Sequence, residues 1–439
     1  MTAKMLYPTR RVARFGAIAL AAAVLVSCSS GSDDESDTTD EAGGGTTTLE
    51  YWGWVPGMED LVATWNEANP DVQVEFHRMT GDDGEKVEAA VDAGSGPDIV
   101  QLSSDVLTDY VINDRVQDIS EFVGDDESNY TPSSWKAVSV ADGVYGLPQG
   151  VGPAAMMYRS DIFAAHGIEV PTTWDDYLAA ARALHAADPN VVIANLSPTE
   201  AAQWQVEVHQ NGASLYGTEG DSWKVSVNGA ESKEVAQRWQ TLLDEGLIST
   251  VPMWTPEYWA AVNEGRIATI IQAAWFPALL EENAADTAGN WQVAPMPSKD
   301  GQPAAGDTGG SIVVVLRGAE NPEAAATFIS WLDGSDETQA PLIEDGGLFP
   351  STLNGLESDS LYQPQPFFAN QVINEVYADA VQSEPDTWSA GPNFATAFQA
   401  IADEFSKVVT GQQTYADALD KAQEATVADL ESRGLSVAD

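Results

Sequence analysis

Alternating apolar and polar positions begin at residue 49 and set out the first elements. Leu49-Glu50-Tyr51-Trp52 reads as a strand, and Met58, Leu61, Val62 and Trp65, spaced three and four apart, mark one face of a helix. Val72, Val74 and Phe76 alternate with polar residues as a second strand. Residues 86–93 then read as a helix stopped by Gly94, and Asp98-Ile99-Val100 as a third strand. Strands alternating with helices predict an α/β lobe with a largely parallel sheet, whose crevice lies beyond the carboxyl ends of its strands. Trp52, Gly53 and Trp54 sit at one such end, and residues 101–105 at another. Further on, Thr173 is a candidate N-cap with Asp176 three residues later, and Trp174, Tyr177, Leu178, Ala181 and Leu184 form a core stripe on the helix that follows. Asn321-Pro322 opens another helix as N-cap and first position, burying Phe328 and Trp331 or Leu332 before Gly334 ends it. Residues 394–430 read as helical, with Phe398, Ile401, Phe405 and Val408 as the apolar stripe. The runs from Ile312 to Leu316 and from Ile267 to Ile271 are strand-sized, so nothing after the N-terminus approaches a membrane span.

The apolar run from about Phe15 to Val26 is of another kind. It follows Arg10, Arg11 and Arg14, is too short for a permanent bilayer helix, and ends in Leu25-Val26-Ser27-Cys28, the layout of a lipoprotein export signal. Cys28 is the single cysteine of the chain, so it has no disulfide partner and is the candidate lipid-attachment site; residues 1–28 form the signal. Arg10-Arg11 after Thr9 leaves the choice between the general and the twin-arginine export route open. Residues 29–48 hold only small and polar residues with six acids, a composition expected to stay disordered as a tether.

Charge narrows the partners. The formal net charge is −49, with 19 Lys and Arg against 68 Asp and Glu, and the signal removes only cations. Such a surface repels phosphates and has no basic patch to release counterions, which argues against nucleic-acid binding. The acids are spread along the chain, which favours a solvated, salt-adapted surface over an acidic site for cationic ligands.

Catalytic signatures are missing. No Gly-rich phosphate loop, Gly-x-Ser-x-Gly elbow or His-Glu-x-x-His motif occurs, and His77, His166, His185 and His209 are scattered without metal-ligand spacing, so no cofactor or metal is expected. Paired carboxylates for glycoside cleavage stay open, since 68 acids make chance pairs. Aromatic residues are abundant, 14 Trp, 12 Tyr and 12 Phe, and Trp52, Trp54, Trp254, Trp275 and Trp388 fall in loop-like contexts. An indole offers a flat face to the C–H side of a sugar ring, and Asp, Asn, Gln or Glu serve its hydroxyls.

Several motifs resemble a known family. They are Asn66-Glu67-Ala68-Asn69-Pro70 with Val72-Gln73-Val74, then Ala93-Gly94-Ser95-Gly96-Pro97-Asp98-Ile99-Val100, Tyr145-Gly146-Leu147-Pro148 and Met157-Tyr158-Arg159-Ser160-Asp161. Val170-Pro171-Thr172-Thr173-Trp174-Asp175-Asp176, Glu264-Gly265-Arg266-Ile267-Ala268 leading to Trp275, Asn321-Pro322-Glu323-Ala324-Ala325 and Gly411-Gln412-Gln413-Thr414-Tyr415 continue the series. In this order over residues 46–432 the chain resembles the extracellular solute-binding proteins of carbohydrate ABC importers, to which maltose-binding protein belongs. The resemblance implies an α/β, two-lobed periplasmic-binding-protein-like fold of type II with the ligand cleft between the lobes. Lobe 1 would take residues 49–150 and 308–348, and lobe 2 residues 151–307 and 349–439, with crossovers near 149–155, 303–311 and 347–352. It implies that Asp105 binds a hydroxyl and Trp275 stacks on a ring, with Glu85 and Phe398 matching functional positions more loosely. With Trp52, Trp54, Gln149, Trp204, Asp307 and Trp388 these complete the candidate ligand-binding set. Leu102 stands where maltose-binding protein has an aromatic and Gly152 where it has an acid, so maltose itself is not the expected ligand.

The expected function is a lipid-anchored monomer on the outer face of the membrane that captures a sugar and hands it to an ABC permease. Closure of the lobes on the ligand like a hinged clamp is a known property of periplasmic binding proteins. Trp275 would meet Trp52, Trp54 and Asp105 across the cleft. Two alternatives stand beside it: a secreted glycoside-cleaving enzyme, and a binding protein for a polyamine, peptide or other non-sugar solute.

Overall fold

The computed structural model of the chain describes residues 46–80, 83–385 and 387–438. Cys28, the export signal and the tether up to residue 45 lie outside the described residues. The expected tether boundary at residue 48 shifts: β1 (Thr47–Gly53) already includes Thr47 and Thr48, because they pair in register with Val72 and Gln73.

β1 is followed by α1 (Met58–Ala68), β2 (Val72–Arg78), α2 (Asp83–Asp92) and β3 (Ile99–Ser103). Met58, Leu61, Val62 and Trp65 are the buried face of α1, as their spacing predicts. Gly94 beyond α2 has φ +67°, the left-handed conformation that ends a helix with least strain in glycine. Later strands are β4 (Leu147–Gly150), β5 (Ala154–Arg159), β6 (Thr269–Ala273), β7 (Trp291–Ala294) and β8 (Ser311–Val315). The helices that bear on the site and the cores are α3 (Pro132–Val138), α4 (Trp174–Ala187), α5 (Ala201–Gln210), α6 (Pro322–Gly334), α7 (Phe394–Val409) and α8 (Tyr415–Ser432).

Two principal sheets organise the molecule. The first has the order β2-β1-β3-β8-β4; β1, β2 and β3 are parallel, while β8 runs antiparallel to both β3 and β4. The second has the order β6-β5-β7 and is antiparallel throughout. The expectation of a largely parallel sheet therefore holds for the first three strands only. β8 returns from far along the chain, and local periodicity carries no sign of its direction.

Each sheet is covered on its faces. Leu49, Tyr51, Val100, Val314, Trp65 and Phe328 pack in one core with the first sheet. On β5, Ala154 and Met156 join a second core with Tyr177, Trp204 and Phe405, while Ala155 and Met157 join a third with Tyr258, Phe276 and Trp291. A strand sends alternate side chains to opposite faces, so a run that is apolar without alternation is what a doubly covered strand requires.

Two local expectations are corrected. Asn321 precedes α6 but makes no side-chain cap bond, unlike Thr173, whose hydroxyl accepts from the Asp176 N–H. Residues 394–430 are two helices rather than one. Gly411, at φ +73°, breaks them, and Thr414 starts α8 with a capping box to Asp417.

Three crossing segments lie side by side between the sheets. The Val151 N–H donates to Phe349 O at 3.0 Å, Thr308 N–H to Gly152 O at 2.9 Å and Ala154 N–H to Gly306 O at 2.9 Å. Gly152 has to be glycine here, since a Cβ would sit 2.2 Å from Thr308 O.

Candidate functional site

A cleft opens where these crossing segments meet the end of β3. β3 runs into a short 3-10 turn, Ser104–Val106, which projects Asp105 beyond the carboxyl end of a parallel strand. The turn is stapled to the chain entering β8: Ser104 Oγ donates to Gly309 O at 3.2 Å. Gly309 and Gly310 have φ +89° and +88°, and a Cβ on Gly310 would lie 2.9 Å from Gly150 O, so the wall at this point is backbone.

Asp307 stands on the crossing segment opposite. Its Oδ2 accepts the Gly152 N–H at 2.8 Å, and its own N–H donates to His209 Nδ1 at 3.0 Å. Lys136 from α3 and His209 from α5 also line the cleft, together with Glu384, Trp388 and Ala390 from the stretch before α7. The Ala390 carbonyl accepts from Thr108 Oγ1 at 3.0 Å, and Ser389 N–H donates to Ser214 Oγ at 2.9 Å, which holds that stretch in place. The Trp388 ring lies between His209, with centroids 5.4 Å apart, and Phe394, at 6.2 Å and nearly perpendicular.

Electrostatics set this cleft apart. Burial pushes the Asp105 carboxyl up to about 6, against a hydrogen bond with Trp388 that holds it down. Asp307 is raised by burial and then by the charge of Asp105, with the Gly152 N–H opposing. Glu384 is raised well above the ordinary carboxyl range by burial and by Asp307, and its Oε1 is enclosed without a hydrogen-bond partner. Burial and mutual repulsion favour the protonated form of such carboxyls, which can both donate a hydrogen bond to a ligand and accept one from it. Among the described residues no group of three or more His, Cys, Asp or Glu is placed to hold a metal ion.

Of the residues singled out in the sequence, Asp105, Asp307 and Trp388 line this cleft together. The others are placed elsewhere. Trp204 is fully buried in the second core, edge-on to Phe405 at 6.1 Å, and is a packing residue. Gln149 is 3% exposed, and its side-chain amide donates to Asp333 Oδ1 of α6 at 3.0 Å. Phe398 packs on Phe394 at 4.2 Å, against the second core. Trp52 donates to Glu50 Oε1 at 2.8 Å beside His77, and Trp54 is 40% exposed; neither lines the cleft. Glu85 belongs to α2, but its side chain lies outside the described residues.

Trp275 is half-buried behind the cleft wall. Its indole donates to Thr308 O at 3.1 Å, and a Cβ on Gly309 would come within 3.0 Å of its Nε1. Its ring neighbours Trp254 at 6.4 Å. Trp254 is 46% exposed at φ +68°, with its indole on Glu200 Oε2 at 2.7 Å. Trp275, Trp52 and Trp54 do not line the cleft with Asp105, whereas Trp388 does. Leu102 is buried opposite Ile312 in the first sheet, away from any aromatic role.

Sequence reasoning missed Glu384, His209 and Lys136. Glu384 lies four residues before a loop tryptophan already singled out, which is a usable signal. His209 carried none, because its partners are main-chain groups 98 and 176 residues away.

Comparison with known proteins gives the family of the chain and relatives of its fold. An arabinooligosaccharide-binding protein of Halalkalibacterium halodurans is 24% identical over 407 residues, covering 85% of this chain and 86% of that one. Among solved structures, the galacto-N-biose/lacto-N-biose I-binding protein of an ABC transporter from Bifidobacterium longum superposes with a TM-score of 0.80 at 29% identity, over 90% of this chain and 99% of that one. The ABC-transporter-associated binding protein of B. animalis subsp. lactis, in complex with β-1,6-galactobiose, gives 0.77 at 27%, over 90% and 100%. The family described as bacterial extracellular solute-binding protein matches residues 52–339, and the chain, with its two-lobed α/β fold, is a member of that family.

Proposed function

We propose that the cleft between Asp105, Asp307, Glu384 and Trp388 captures a sugar or short oligosaccharide and that the protein delivers it unchanged to the permease of an ABC importer. The observation that carries this reading is the convergence of three carboxyl side chains and one indole on a single cleft. Hydroxyls fit the carboxylates and an apolar ring face fits the indole. Two of the structurally similar proteins are bound to lacto-N-biose and to β-1,6-galactobiose, and a sequence relative is an arabinooligosaccharide-binding protein, which sets the first ligands to try. The lobes divide on this reading at 150/151, 307/308 and 348/349, with the ligand at their junction.

The test is a thermal-shift panel of lacto-N-biose, β-1,6-galactobiose, arabinooligosaccharides and, as controls, polyamines and peptides. A ligand that binds only the folded state raises Tm by mass action. A sugar that raises Tm and yields no new reducing ends supports a receptor. Sustained release of reducing ends, or a shift with polyamines alone, removes the reading.

On the same reading the mature N-terminus is Cys28 carrying a lipid, which holds a monomeric body outside the membrane. Among the described residues no helix is long and apolar enough to cross a bilayer. Cys28→Ala is expected to move the protein from the membrane fraction to the medium. A variant that fractionates with membranes as firmly as the parent removes the anchor.

A further inference from the structure

We infer that His209 is a positioning residue of the cleft, a neutral imidazole with its proton on Nε2 that joins the segment carrying Asp307 to the segment carrying Glu384 and Trp388. The inference rests on the reading of this cleft as the binding site. His209 is 4% exposed, and both ring nitrogens are used. Nε2 lies 2.9 Å from Pro385 O, a carbonyl that can only accept, so Nε2 carries the proton. Nδ1 lies 3.0 Å from the Asp307 backbone nitrogen, which can only donate, so Nδ1 is bare. One ring thereby fixes the chain on either side: the residue next to Glu384 and the backbone of Asp307. Its face meets Trp388 at 5.4 Å and 38°, which makes it the third contact to the same wall.

The surroundings favour the neutral form. Burial, with the charge of Lys136 nearby, holds the imidazole below its ordinary value. Lys136 of α3, Asp307, Asp105 and Glu384 line the same cleft as His209, and of these the Lys136 charge acts on the ring. A proton on Nδ1 would point at the Asp307 N–H and break that joint. The close approach that brings α5 to the crossing segment is built in, since a Cβ on Gly306 would stand 2.0 Å from Val206 O one turn before His209.

The test needs no ligand, so its failure and failure of the sugar reading are separate outcomes. Nitrogen-15 spectra of the histidine side chains at pH 7.5 should show one ring with Nε2 protonated and Nδ1 bare, and that signal should vanish in His209→Phe. Hydrogen exchange is then compared in parent, His209→Phe and His209→Asn. In His209→Phe, which keeps a ring beside Trp388, amides of residues 305–310 and 387–390 should exchange at least about tenfold faster while the sheet cores stay protected. In His209→Asn the short amide oxygen can still accept from Asp307, so residues 305–310 should recover protection and residues 387–390 should not. A protonated Nδ1, or unchanged exchange in both segments of His209→Phe, overturns the inference. If His209→Phe fails to fold, the split response of His209→Asn decides it: equal loss or equal retention in the two segments counts against the joint.

Discussion

Asp105 shows how a single residue trades stability for recognition. Its folded pKa is raised to about 6, against an ordinary carboxyl near 4. A raised acid favours folding fully below its unfolded pKa and loses that contribution as pH rises through the folded value, here between about 4 and about 6. Asp105→Asn removes the buried charge. The ligand-free variant is therefore expected to melt about 2 °C or more above the parent at pH 7.5 and to lose that advantage near pH 4, measured by thermal unfolding across pH. Its affinity for the sugar should fall roughly tenfold or more, because a hydroxyl in the cleft would lose a charged acceptor, about 1–3 kcal/mol. A variant that is no more stable at pH 7.5 than at pH 4 relative to the parent would show that the carboxyl is not strained by burial. At this scale the sequence was readable in part. Asp105, Asp307 and Trp388 were legible as an acid after a strand, an acid in a crossing segment and a tryptophan in a loop. Trp204 was misplaced, because an indole on a helix looks the same in sequence whether its face meets a core or a cleft.

Among the elements, local pattern located the strands and helices, and what it missed was long-range. α1, β2 and α4 follow from spacing and caps, whereas the antiparallel entry of β8 depends on a partner some 200 residues away. Gly306 illustrates the constraint that spacing cannot show. Nothing nearby marks it as special, yet it lets the chain that carries Asp307 pass against the Val206 carbonyl of α5. Gly306→Ala is expected to force that segment outward, costing ~1–3 kcal/mol in overpacking and displacing Asp307. Chemical denaturation should report the lost stability, and calorimetry a lost or much weakened sugar response. Parental stability together with parental binding would mean that the segment has room to move.

For the molecule as a whole, the chain before β4 and the C-terminal stretch also touch outside the cleft. Thr108 bonds to Ala390 O, and Arg433 after α8 bridges Asp109 Oδ1 at 3.0 Å and Asp429 Oδ2 at 2.9 Å. Asp109 is shared with Arg115 at 3.2 Å. On the proposed division these contacts join the two lobes, so Arg433→Ala is expected to shift the ligand-free protein toward a more open form. Small-angle scattering would read a larger radius of gyration that shrinks again with ligand; an unchanged radius in the ligand-free variant would mean that the bridge has no part in closure. The charge of −49 adds a general repulsion that salt screens, so the same difference should narrow at high ionic strength.

The central claim, that one cleft of acids and an indole captures a sugar, is tested most directly by calorimetric titration of the sugar that gives the largest thermal shift into parent, Trp388→Ala and Asp307→Asn proteins. The account predicts one site per chain in the parent, affinity at least tenfold weaker in both variants, and folded variants by circular dichroism. Parental affinity in both variants would place the ligand elsewhere and contradict the account.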